Sequence, residues 1–241
     1  MKEKLKFIAQ KFFGIEIKKI NTSYIKGESL FEDLAILIKT ENPLLVDVGS
    51  NYGQFIDLFL AKFQVYNIIG VEPDKLLYKE LCEKYDEFSD IEFVNHGLGH
   101  YAETRIFNIY ESRDLNSFLE LNTHVEFKNI KKIEEQIVQI ITLDSLVKQK
   151  GIKAIDLLKV DTQGFDYEVL KGTENAFAQR IVKNSVVELN FVNLYYSQNS
   201  PSEVISYLGK NGFKPVGIYD IFRDKNNEGI SWCNMLFTLD R

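Results

Sequence analysis

The chain predicts a doubly wound α/β fold, an open and mostly parallel sheet with helices on both faces. Three observations carry this. Leu44-Leu-Val-Asp-Val48 is a short apolar run that breaks at Gly49, and Gly53 then opens a segment with Phe55, Leu58, Phe59 and Phe63 at helical spacing. A second apolar run, Tyr66 to Val71, ends in Glu72-Pro73, so strand, glycine turn, helix and strand follow one another as in a nucleotide-binding βαβ unit. Apolar runs of strand length then recur between helical patterns as far as Leu239. A length of 241 residues with 45% hydrophobic and 13% aromatic residues suits one sizeable core.

Residues 1–27 alternate lysines with Leu5, Phe7, Ile8, Phe12 and Phe13, a segment expected to lay an apolar stripe on the domain rather than on a membrane surface. Ser29 is placed to cap a helix carrying Leu30, Phe31, Leu34, Leu37 and Ile38, which Asn42-Pro43 ends. After the opening unit, Lys75 to Tyr85 reads as a helix and Ile91 to Asn95 as a third strand, closing in the turn Asn95-His-Gly-Leu-Gly99. Thr104 to Tyr110 and Gln136 to Ile141 read as strands around a charged inserted loop at about 110–136, expected to act as a lid or to recognise substrate. Thr142 caps a helix that Gly151 ends; Ala154 to Val160 is a fourth central strand, followed by a short helix closed at Gly172. Ser185 to Asn190 is a fifth. Pro201 starts a helix reaching Lys210, and Phe213–Tyr219 with Cys233–Leu239 form a final hairpin-like pair. No repeat or linker interrupts residues 28–241, which read as a single domain.

Composition excludes some functions. A net charge of −6 argues against general nucleic-acid binding, which depends on neutralising phosphates. Cys82 and Cys233 are far apart and lack ligand spacing, so neither a disulfide framework nor a zinc cluster is expected. No apolar run reaches the roughly 18 residues of a membrane span, and the N-terminus lacks a signal-peptide core. The expected location is the cytoplasm.

The turn after the first strand narrows the ligand. A dinucleotide turn needs G-x-G-x-x-G, but Asn51 and Gln54 stand where the later glycines belong, and no P-loop lysine follows. D-x-G-x-x-x-G followed by Glu72 suits a ligand with a ribose and a charged amino-acid tail but no phosphate. S-adenosylmethionine is the obvious candidate, and Glu72 is placed to accept hydrogen bonds from its ribose hydroxyls.

Val46-Asp-Val-Gly-Ser-Asn-Tyr-Gly53, Gly70-Val-Glu-Pro73, Thr142-Leu-Asp144 and Leu158-Lys-Val-Asp-Thr-Gln-Gly-Phe-Asp-Tyr-Glu-Val-Leu-Lys-Gly172 together resemble the FkbM family of S-adenosylmethionine-dependent O-methyltransferases. Val187-Glu188, Leu194-Tyr195-Tyr196 and Gly212-Phe213 extend the likeness over roughly residues 28 to 239. It implies a class I methyltransferase (Rossmann-like) sheet of seven strands, six parallel and the last antiparallel. It also implies that Asp47, Gly49, Ser50, Asn51 and Gly53 line the amino-acid end and sugar of the cofactor, that Glu72 holds the ribose, and that Asn95, His96 and Gly97 flank the adenine. Many members have glutamate where Gln163 and Asp166 stand, which weakens a catalytic role for either.

Methyl transfer to an alcohol needs alignment with the sulfonium and removal of the hydroxyl proton. Asp161 and Glu188, at the ends of adjacent central strands, are the best-placed carboxylates. Together they either hold Mg²⁺ or a similar hard cation, with Asn190 nearby, or Asp161 or His124 acts as a metal-free base. The family acts on polyketide hydroxyls and on sugars of bacterial surface glycans such as capsule. The favoured acceptor here is a sugar, on a nucleotide-activated precursor whose phosphates meet Arg113, Lys128 or Lys131, with Asn116 beside them. A non-sugar natural product and a non-catalytic cofactor-binding module are the alternatives, and a homodimer is the assembly to test for.

Overall fold

The computed structural model describes residues 25, 27–123, 129–223 and 229–240. The expected N-terminal amphipathic segment therefore lies almost wholly outside the described residues. A central sheet has the order β3-β2-β1-β7-β8-β10-β9, from β1 (Leu44–Val48), β2 (Asn67–Val71), β3 (Ile91–Val94), β7 (Leu157–Val160), β8 (Asn184–Asn190), β9 (Phe213–Arg223) and β10 (Ile230–Leu239). The first five run parallel, β10 is antiparallel to both β8 and β9, and six strands thus share one direction. This is the class I methyltransferase arrangement.

The inner strands are buried on both faces, which is why their sequences are nearly continuous apolar runs rather than alternating ones. Val46, Val48, Leu158, Val160 and Val187 point into one core, while Leu45, Ile68, Leu157, Val186 and Leu236 point into the other. Against the second core pack α1 (Leu30–Leu37) and α2 (Gln54–Lys62), with Leu34, Ile56 and Phe59 fully enclosed. The helices α3 (Lys75–Lys84), α4 (Leu143–Lys150), α5 (Asp166–Lys171), α6 (Glu174–Ala178) and α7 (Pro201–Lys210) complete the layers. Their ends follow local chemistry. Thr142 accepts from Ser145 N–H, Gly151 closes α4 in the left-handed region, and Ser200 with Glu203 forms a capping box ahead of Pro201. Ser29 stands at the N-cap of α1, but its side chain makes no capping bond.

Two expectations change. The turn after β3 contains a two-residue strand, β4 (Gly97–Leu98), which belongs to a separate three-stranded sheet of order β4-β6-β5 with β5 (Glu103–Tyr110) and β6 (Lys132–Ile141). Phe107, Ile109, Val138 and Ile140 pack this small sheet onto the first core, and their neighbours Ile106 and Ile137 face solvent. The inserted segment is also shorter than expected, because β6 begins at Lys132. Its described first half is packed rather than solvated: Leu115, Phe118, Leu119 and Leu121 are buried in the first core.

Candidate active site

The parallel strands β1, β2, β3, β7 and β8 end at one edge, where a cleft of about 310 Å³ opens. Gly49 adopts φ +78° in the turn after β1, and a Cβ there would stand 1.9 Å from the Asp161 carbonyl oxygen. Only glycine lets the ends of β1 and β7 approach this closely. Asn51, also at positive φ (50°), turns its backbone N–H onto Glu72 Oε2 at 2.8 Å, while Asp74 N–H donates to Oε1 at 2.9 Å. Two backbone donors thus orient the Glu72 carboxyl at the end of β2. Burial pushes its pKa up to about 7, against the opposing pull of those donors.

Gly49, Ser50, Asn51, Glu72, His96 and Gly97 all line the cleft. Two buried atoms of this wall, His96 Nδ1 and Asn51 Oδ1, have no hydrogen-bond partner. Buried polar atoms left unpaired in a cleft wall mark where a ligand's own polar groups belong. A nucleoside-bearing cofactor, with its ribose hydroxyls and exocyclic amine, supplies groups of that kind.

Three of the sequence candidates sit behind this wall rather than in it. Gly53 is the N-cap of α2 at φ +80°, and Tyr85 packs where its side chain would be. Asn95 donates its amide to the carbonyls of Glu72 (2.8 Å) and Pro73 (3.1 Å), so it shapes the loop. Asp47 is fully buried, with Lys159 Nζ 3.3 Å from Oδ1. Lys159 was not foreseen as functional. Its ammonium also donates to Gly49 O at 2.9 Å and lies 3.6 Å from Asp161 Oδ2. Burial draws the Lys159 pKa down, but Asp47 and Asp161 more than reverse this and hold it above its ordinary value. The signal was present in the sequence: a lone lysine inside the apolar run Leu157–Val160.

Asp161 and Glu188 do come together, but not around an open cation seat. The carboxamide of Gln163 lies between them, with Nε2 donating to Asp161 Oδ1 at 2.8 Å and to Glu188 Oε2 at 3.2 Å. Asn190 Nδ2 adds a further bond to Glu188 Oε2 at 3.2 Å. The Tyr195 hydroxyl stands 3.0 Å from Gln163 Oε1, which fits an amide whose nitrogen end faces the acids. The donor set therefore does not fit Mg²⁺: an N–H₂ group, which repels cations, occupies the space between the oxygens. Among the described residues no group of three or more His, Cys, Asp and Glu side chains is arranged to hold a metal ion. Burial, followed by the charges of Asp161 and Asp166, raises the Glu188 pKa well above the carboxylate range. Asp166 acts on the backbone, accepting from Thr162 N–H (2.7 Å) and Gly164 N–H (3.1 Å), and so holds the turn in which Gln163 and Gly164 both take positive φ.

The inserted segment forms the outer wall. Arg113 and Asn116 both reach the buried carboxylate of Asp74, Asn116 Nδ2 at 3.0 Å, while Asp74 also caps α3 through Leu76 N–H. The Arg113 guanidinium thus pairs with a protein acid while also lining the cleft. Lys131 is exposed and lines neither this cleft nor the hollow beside it; His124 and Lys128 lie outside the described residues. That neighbouring hollow, about 350 Å³, is bounded by Asp114, Leu115, Gln163, Glu188, Asn190 and Trp232, and it shares Asp114 and Gln163 with the cleft. Asp114 and Trp232 were not singled out from sequence, because nothing local marks them as neighbours of Glu188.

A family model described as "Methyltransferase FkbM domain" matches residues 47–215. Methyltransferase sdnD of Sordaria araneosa is 29% identical over 199 residues, which is 71% of this chain and 76% of that protein. Among solved structures, methyltransferase FkbM from Methylobacillus flagellatus KT superposes with a TM-score of 0.55 at 14% identity, over 85% of this chain and 45% of that one. The chain thus spans a little under half the length of that protein. TrmK of M. capricolum, solved with S-adenosylhomocysteine, gives a TM-score of 0.50 at 9% identity, over 88% of this chain and 68% of that one. At such identities the two structures share a fold with this chain.

Proposed function

Because the chain belongs to the FkbM methyltransferase family, we propose that it is an S-adenosylmethionine-dependent O-methyltransferase acting on a sugar hydroxyl, in the assembly of a surface polysaccharide. The observation that carries the reading is the junction at Gln163, where a cleft with nucleoside-type donors and acceptors meets a second hollow containing a raised-pKa carboxyl. The sugar and the polysaccharide setting rest on the family resemblance.

When bound, S-adenosylmethionine supplies a methyl group activated on a sulfonium. Glu72 would accept from its ribose hydroxyls, and Asn51 and His96 would offer the unpaired Oδ1 and Nδ1 atoms to its remaining polar groups. On the other side of Gln163, Glu188 lines the hollow where an acceptor hydroxyl would stand, and once ionised it is a stronger base than an ordinary carboxylate. Glu188 would take up the hydroxyl proton released when that methyl group is transferred to the acceptor oxygen. Asp161, held by Lys159 and Gln163, keeps a negative field beside the cationic donor. Among the described residues no helix is long and apolar enough to cross a membrane.

Calorimetric titration with S-adenosylhomocysteine tests the cofactor directly. Micromolar binding by the wild type that is lost in a folded Glu72→Ala variant is expected; a wild type that does not bind would remove the reading.

A further inference from the structure

The hollow beyond Gln163 carries more information than its position. Its acidic walls are Asp114 and Glu188, and among its described lining residues there is no lysine, arginine or histidine. Its apolar walls are Leu115, Ile130, Leu194 and Trp232. Trp232 stacks on Phe222, with ring centroids 3.9 Å apart and planes 8° from parallel, so the indole is held as a fixed surface. Directly across the strand pair from Trp232 stands Asn190. Asn190 is buried, spends its amide nitrogen on Glu188, and leaves Oδ1 without a partner.

These features select a ligand. A flat aromatic wall favours a molecule with an apolar face, such as the C–H face of a pyranose ring. A buried unpaired acceptor oxygen wants a donor, and a hydroxyl supplies one where a phosphate oxygen does not. A diphosphate placed there would instead lie against the carboxylate of Asp114 and the acid of Glu188, with no lysine, arginine or histidine among the described lining residues to pair with it.

Resting on the methyltransferase reading above, we propose that this hollow is the acceptor site and that it takes an uncharged, hydroxyl-bearing ring compound such as a neutral glycoside. The sugar is then methylated as a neutral glycoside and not as its nucleotide-activated form. A glycosyl-transfer step must accordingly come before this enzyme in the reaction sequence.

Trp232 is the single tryptophan of the chain, so its emission reports directly on the hollow, without need for turnover. The experiment titrates protein saturated with S-adenosylhomocysteine against methyl glycosides of common hexoses and deoxyhexoses, and against the uridine- or guanosine-diphosphate forms of the same sugars. A saturable change in Trp232 emission with at least one methyl glycoside is expected, with its nucleotide form binding at least about tenfold more weakly. Asn190→Leu is expected to weaken the glycoside response by a similar factor. Equal or tighter binding of the nucleotide form overturns the inference, and so does the absence of any change with every probe. Calorimetry with S-adenosylhomocysteine on the same samples separates the two levels: a protein that binds it yet shows no glycoside response loses only the acceptor assignment, whereas one that does not bind it loses the reading beneath as well.

Discussion

Asp47 and Lys159 are register partners on adjacent parallel strands, β1 and β7, and they meet in the middle of the sheet with the ammonium 3.3 Å from the carboxylate. Neither side chain is exposed enough to be solvated, since Lys159 is only 8% accessible and Asp47 not at all. Through Gly49 O and Asp161 the same ammonium ties together the two loops that make the cofactor cleft.

Removing one partner of such a pair leaves a buried charge uncompensated. Lys159→Met is expected to destabilise the fold by about 3–5 kcal/mol, and adding Asp47→Asn to recover a good part of that loss. Urea denaturation of the single and double variants measures it. A single variant as stable as the wild type would mean that the pair is not held as described.

Glu72 makes cofactor binding depend on pH. Its folded-state pKa of about 7 lies above the ordinary 4.5, so the proton is favoured in the empty folded protein. This group's contribution to folding is therefore present at acid pH and lost as pH rises through about 7. Ribose hydroxyls donate to the carboxylate form, so affinity for S-adenosylhomocysteine runs the other way. It is expected to weaken by up to about tenfold per pH unit below 7 and to level off above. Glu72→Gln should bind weakly at every pH, and a wild-type affinity flat from pH 5.5 to 8 would contradict the assignment.

Gln163 decides what sits between Asp161 and Glu188. Gln163→Glu replaces the bridging N–H₂ with oxygen and puts three carboxyls in one place, which is expected to create a divalent-cation site. Calorimetry with Mn²⁺ should then show stoichiometric binding by the variant and at least about tenfold weaker binding by the wild type. Wild-type binding as tight as the variant's would show that the amide does not exclude a cation.

Asp74 joins the inserted segment to the βαβ unit through Arg113, Asn116 and the first turn of α3. Asp74→Ala removes a helix cap worth about 1 kcal/mol and also strands the half-buried guanidinium. The expected result is a total loss of about 2–4 kcal/mol, with faster proteolytic cleavage between residues 111 and 131. Unchanged cleavage kinetics would mean that the segment is anchored by its apolar side chains alone.

Local sequence determined a good deal about this protein. The apolar runs at 44–48, 67–71, 157–160 and 184–190, the glycines of the first turn and the caps at Thr142 and Ser200 specify strands, turns and helices from near neighbours alone. The first three of these runs, mostly apolar rather than alternating, already implied a sheet covered on both faces. Gly49 and Glu72 could be placed on the cleft because a βαβ unit brings its strand ends together whatever the rest of the chain does. What tertiary structure alone decided depends on contacts distant in sequence. Asp47 turned inward to a lysine 112 positions away, Arg113 was taken up by Asp74, and Gln163 filled the space between two acids. Trp232 came to face Asn190 only because the antiparallel strand β10 inserts between β8 and β9. A side chain's type says which partners it can satisfy, but the register of strands far apart in the chain decides which one it meets, and that choice separates a ligand-facing group from one that holds the scaffold.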